Sequence, residues 1–177
     1  RTLDAVRQGA IASDRSAWLA LHRPYPWMLA ELQRLDAVGE PWRVLTTKSA
    51  GFTGELLASH GLRPQRIHGR EDGPKTEVLL RLRSEGVWRD RALFLEDRRL
   101  TLEDVLATPG LETVDCRLVS WGYLLPEDVR EDILLVKIGS GKVDLERVAT
   151  YLQHAECLLY PGVSVGFQSP PLEAMAA

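Results

Sequence analysis

The sequence predicts an α/β protein, a three-layer Rossmann-like parallel sheet over about Pro24 to Pro126, and three observations lead there. Short apolar runs rich in strand formers recur, as in WRVLTT and RALFLE. Between them lie amphipathic stretches long enough to be helices. These stretches stop at turn-forming residues: Gly39 with Pro41, Gly61 and Gly86. Strands alternating with helices build βα units on a parallel sheet.

Each element follows in order. Leu3, Val6, Ala10, Trp18 and Leu19 recur at helical spacing, which predicts two short helices meeting near Asp14 and Ser16. PYPWMLAELQRLDAVGEP is a further helix, with Pro26 in its first turn and Met28, Leu29, Leu32, Leu35 and Val38 along one face. WRVLTT is a strand, GFTGELLASHG a helix, RIHGR a short strand or loop, and GPKTEVLLRLRSEG another helix. RALFLE is the next buried strand, TLEDVLA a short helix and ETVDCRLVSWGY a further strand. Thr101-x-x-Asp104 reads as a capping-box-like start that places Glu103 and Asp104 in the first helical turn, with Arg98 and Arg99 solvated or ion-paired before it.

From Glu127 the character shifts. DILLVKI is a strand candidate, GSG a turn, DLERVATYLQHA a helix capped by Asp144, and ECLLYPG a strand; Ser169 then caps a last helix. Three regions result: 1–23, a core over 24–126, and a C-terminal α/β extension over 127–177. GSGK at Gly139 to Lys142 is no P-loop, because Val136 and Val143 occupy the positions that need Gly and Ser or Thr.

Composition bounds the function. The 177 residues are 45% apolar and 27% charged with a net charge of −3, the balance of a globular domain without the basic field that attracts nucleic acid. No apolar run approaches the roughly 18 residues that span a bilayer, and no signal-peptide pattern opens the chain. A cytoplasmic location without a membrane partner is the expectation. Cys116 and Cys157 stand in apolar contexts without metal-ligand spacing, so buried free thiols are expected.

Ligands of open parallel sheets bind at the carboxyl ends of strands. VLTTK brings Thr46, Thr47 and Lys48 to such an end, and ALFLED brings Glu96 and Asp97 to another. A hydroxyl can bond a phosphate oxygen, and adjacent carboxylates suit Mg²⁺, a hard ion that prefers oxygen. Lys75 begins a helix, where its ammonium and the helix N-terminus together favour an anion. A small phosphorylated substrate with Mg²⁺ accounts for all of these groups.

The runs RVLTTKSAGFTGELLASHGL, GREDGPKTEVLLRL, ALFLEDRRLTLEDV and CRLVSWGY together resemble the haloacid dehalogenase (HAD) superfamily, in particular a cyanobacterial-type group of HAD-like hydrolases, over most of residues 1–137. The resemblance implies a HAD-like core preceded by the end of a helical cap. It implies that Thr46 is the strand-end hydroxyl, that Lys75 steadies the transferring phosphoryl group, and that Glu96 and Asp97 hold Mg²⁺. The superfamily's nucleophile is the first Asp of an Asp-x-Asp pair closing an earlier strand, and nothing before Thr46 matches it: Asp4, Asp14 and Asp36 lie in helical or linker contexts. The chain opens and stops inside helical patterns, so a fragment without turnover of its own is expected.

The tail ECLLYPGVSVGFQSPPLEAMAA resembles retaining glycosyltransferases of the two-Rossmann type. Gly166, Phe167 and Pro171 through Ala176 match, and Glu173 stands where the second of two Glu residues attends a nucleotide sugar; Val165 stands at the first. A glycosyltransferase fragment or fusion, and a non-catalytic α/β binding domain, are the alternatives to a phosphohydrolase.

Overall fold

The computed structural model describes residues 3–122 and 125–133 and, beyond them, short strands at 135–136, 138–139, 142–143, 157–160 and 167–168. Helix α1 (Leu3–Ser13) gives way to α2 (Arg15–Ala20) at Asp14, whose carboxylate accepts the Ala17 N–H at 2.9 Å. The two-residue strand β1 (Arg23–Pro24) leads into α3 (Pro26–Val38). Pro26 occupies the first turn of α3, where no N–H is needed, and Gly39 closes it at φ 73°, a left-handed conformation that glycine adopts without strain.

Strand β2 (Trp42–Leu45) is followed by α4 (Ala50–Ala58), capped by the Ser49 hydroxyl, and by β3 (Arg66–His68). Helix α5 (Lys75–Ser84), strand β4 (Ala92–Glu96), α6 (Arg99–Leu106) and β5 (Val114–Val119) continue the alternation. The short strands β6 (Leu135–Val136), β7 (Ile138–Gly139), β8 (Lys142–Val143), β9 (Cys157–Tyr160) and β10 (Phe167–Gln168) complete the described chain. The helices expected from Asp144 and from Ser169 lie outside the described residues.

Six strands form one sheet in the order β3-β2-β9-β4-β5-β6, every neighbouring pair parallel. Strands β2 and β4, which carry the candidate site at their ends, flank β9 from the far end of the sequence: Val44 lies beside Tyr160, and Phe94 beside Leu159. Thus β6 and β9, from the region after Glu127, share the sheet of β2 to β5. Two small antiparallel pairs, β1 with β10 and β7 with β8, stand apart from it.

All five residues of β4 are buried, as a strand covered on both faces requires. Its residues alternate between two apolar clusters because successive side chains leave a strand on opposite faces. Leu93 and Leu95 join Val44 and Val119 against Trp18, Met28, Leu32 and Leu56 from α2, α3 and α4. Ala92 and Phe94 join Leu45 and Leu118 against Val78, Leu82, Leu102 and Val105 from α5 and α6. Each fully buried side chain of this size contributes about 1.5–3 kcal/mol through removal from water, so these two clusters hold the strand ends in place.

Helix α6 corrects one expectation. It starts at Arg99, two residues before Thr101, with Arg98 as an extended cap residue and no acid in the first turn. Thr101 and Asp104 therefore cap nothing and lie within the helix. The reason is tertiary: Arg99 is buried and anchors the helix start, its guanidinium bonding Glu103 at 2.8 Å, the Asp128 carbonyl at 3.0 Å and the Asp132 carboxylate. No helix among the described residues is long and apolar enough to cross a membrane. Cys116 is a buried free thiol whose pKa burial pushes up to about 12.

Candidate functional site

The ends of β2 and β4 and the start of α5 converge on one cleft of about 230 Å³, lined by Thr47, Pro74, Lys75, Thr76, Glu96, Asp97, Arg98, Thr101 and Asp104. Of the candidate residues, Thr47, Lys75, Glu96 and Asp97 are all among these. Thr46 sits just beneath, buried at the end of β2: its N–H donates to the His68 carbonyl at 2.9 Å, and its hydroxyl accepts the Lys48 N–H at 3.1 Å. The hydroxyl of Thr46 thus shapes the turn that presents Thr47. Glu173 lies outside the described residues.

Lys75 is the first residue of α5, and its ammonium is bonded to the Glu96 carboxylate. The same ammonium lies 5.8 Å from the centre of the Phe94 ring, which attracts a cation through its face. Pro74 precedes the helix and, lacking an N–H, suits that position. The positive end of α5 and the Lys75 ammonium therefore act on the same cleft.

Glu96 is 1% exposed and Asp97 2% exposed, yet both carry carboxyl groups at the cleft. One Glu96 oxygen accepts the backbone N–H groups of Asp97 and Arg98, each at 3.1 Å, while the other binds Lys75. Burial pushes the Glu96 pKa up to about 7; Lys75 pulls it down, and the adjacent Asp97 raises it again. Tyr25, before α3, has its phenol pKa raised by burial and then by the Asp97 charge, which shows how near α3's entry lies to the β4 tip.

A glycine makes this packing possible. At Gly122, just past β5, a Cβ would overlap the Cβ and carboxylate of Asp97. The segment after β5 can therefore press against Asp97 only because position 122 has no side chain. Alongside, Trp121 meets Trp27 edge-to-face with ring centres 4.5 Å apart. The signal for Gly122 was present in CRLVSWGY, but nothing local tells which glycine abuts a carboxylate.

Among the described residues no group of three or more His, Cys, Asp or Glu is arranged to enclose a metal ion. The donor set still suits Mg²⁺ in a limited sense, since that ion is commonly held by one or two carboxylates, water and substrate phosphate rather than by a protein cage. Glu96, with one oxygen on Lys75 and the other on backbone donors, fits the role of holding Lys75, and the adjacent Asp97 carboxylate is the second group that could face an ion. Arg98, Thr76, Thr101 and Asp104 also line the cleft; that Asp104 faces it follows from where α6 begins.

Comparison with protein-family models, curated proteins and solved structures found no match.

Proposed function

We propose that this chain is the phosphate-binding core of a HAD-like phosphohydrolase, a three-layer Rossmann-like domain serving magnesium-dependent hydrolysis of a small phosphate monoester through an aspartyl phosphate. The observation that carries the reading is the cleft where Thr47, Lys75, Glu96 and Asp97 meet from three separate elements. A hydroxyl, an ammonium and two carboxylates around one small space suit a phosphoryl group better than an apolar ligand.

In this reading the Thr47 hydroxyl bonds a phosphoryl oxygen, and Lys75, held by Glu96, neutralises negative charge on the group. Asp97 would hold Mg²⁺, which when bound offsets the charge of the phosphate. Burial of the two carboxylates strengthens these interactions because little water screens them. The chain contains no Asp-x-Asp pair, so these residues bind and orient the phosphate without a nucleophile of their own.

A non-catalytic phosphate-binding domain is the second reading. It is favoured by β9, which fills the central position between β2 and β4 and is followed in sequence by PGVSVG, a stretch without a carboxylate. The glycosyltransferase alternative rests on the tail sequence alone.

Calorimetric titration of the chain with inorganic phosphate, with and without Mg²⁺, tests the proposal. Phosphate binding that requires Mg²⁺ and weakens at least about tenfold in Asp97→Asn is expected, as a lost charge-assisted contact implies. Aryl phosphate should not turn over. Phosphate binding indifferent to Mg²⁺ and to Asp97 would overturn the metal role; vigorous metal-dependent turnover would overturn the absence of a nucleophile.

A further inference from the structure

We infer that the α6 side of the cleft selects the organic part of the ligand, that this part is small and rich in hydroxyl groups, and that Asp104 is the specificity-determining residue. The inference rests on the phosphate-binding reading above and adds the class of ester. Thr101 and Asp104, three residues apart, share one face of α6, Arg98 precedes the helix as its cap residue, and all three line the same cleft as Lys75.

The contrast with the neighbouring acid is informative. Glu103 faces away into ion pairs with Arg99 and Arg130, whereas among the described residues no cation pairs with the Asp104 carboxylate. An ionised carboxylate accepts hydrogen bonds and donates none. Beside a phosphate subsite, its natural complement is a ligand that brings its own donors.

The rest of the lining agrees. Among the described residues, Thr47, Thr76 and Thr101 add three hydroxyls that can donate or accept, Pro74 is the one lining residue without a polar side chain, and no aromatic residue lines the space. At about 230 Å³ the cleft is smaller than the roughly 300–1,000 Å³ typical of sites for drug-sized ligands. A phosphate carrying a short polyol fits this size and polarity, with Arg98 adding a second cation near the anionic end.

The test titrates the full chain, with Mg²⁺ present, against inorganic phosphate, glycerol phosphate and phenyl phosphate by calorimetry. Glycerol phosphate should bind at least about tenfold more tightly than phenyl phosphate, the effect of one charge-assisted hydrogen bond. Asp104→Leu should erase most of that preference, and Asp104→Asn, which keeps an acceptor oxygen, should retain part of it. Inorganic phosphate that binds while the two esters bind equally, or a preference that survives in Asp104→Leu, overturns this inference and leaves the phosphate reading standing. Failure of inorganic phosphate and both esters to bind removes both. Asp104 is exposed, so the variant should fold; if it does not, the ester preference of the unaltered chain decides alone.

Discussion

His68, the last residue of β3, is 3% exposed, and among the described residues neither of its ring nitrogens has a hydrogen-bond partner, the Asp72 carboxylate standing 4.0 Å from Nδ1. Burial lowers its pKa from 6.5; Asp72 opposes that shift, and Arg66, Arg43 and Arg81 reinforce it. The unfolded chain therefore takes up this proton before the folded chain does. Stability from neutral His68 is complete above about pH 6.5 and is lost as pH falls through its lower folded pKa. Glu96 has the opposite sign: with its pKa raised to about 7, its contribution is full below its unfolded value and is lost as pH rises toward 7. The difference between the wild type and His68→Leu isolates the histidine. Urea midpoints measured from pH 7.5 down to about pH 5 should fall more steeply in the wild type than in His68→Leu; parallel curves would refute the buried neutral state. Nothing in RIHGR distinguishes such a histidine from a surface one, because burial here depends on neighbours such as β2, distant in sequence.

At the level of elements, the tips of β4 and β5 are coupled through Gly122. Any side chain at position 122 must displace Asp97, itself buried and fixed at the end of a fully buried strand. Gly122→Ala is expected to cost about 1–3 kcal/mol of stability, the usual effect of overpacking, and to weaken Mg²⁺-linked phosphate binding more than substitution of a remote surface residue does. Thermal melts and phosphate titrations of the variant check both; a variant with unchanged stability and binding would show that the β5 tip yields freely. Helix α6 makes the related point about element boundaries. Thr101-x-x-Asp104 has the composition of a helix start, yet the helix begins at Arg99 because Glu103, Asp132 and the Asp128 carbonyl satisfy a buried guanidinium there. Local composition proposed one start, and contacts from about thirty residues further along the chain decided another.

At the level of the whole molecule, the backbone pairing that links β2 to β4 runs through β9 among the described residues. Both are buried strands whose backbone groups toward the centre of the sheet are paired by β9, and loss of such pairing leaves polar groups without partners in an apolar setting. A chain ending at Val143 should therefore lose its cooperative thermal transition or melt at least roughly 10 °C lower, as removal of several kcal/mol from a domain of this size implies. Circular dichroism on heating measures this, and an unchanged transition would show that β9 does not complete the sheet. The sequence by itself determined the local elements: apolar runs for β2, β4 and β5, helical periodicity for α3 and α5, and the stops at Gly39, Gly61 and Gly86, because pleat, helix period and left-handed glycine conformations are short-range properties. It also singled out Thr46, Thr47, Lys75, Glu96 and Asp97, since strand ends and helix starts can be read from neighbours, although Thr46 lies beneath the cleft and not among its lining residues. Only the tertiary structure decided that β9 lies between β2 and β4, that Gly122 abuts Asp97, that Arg99 is buried and that Asp104 faces the cleft. Those are contacts between segments far apart in the chain, chosen by packing and by the need of buried polar groups for partners, and neither leaves a period or a spacing to be read.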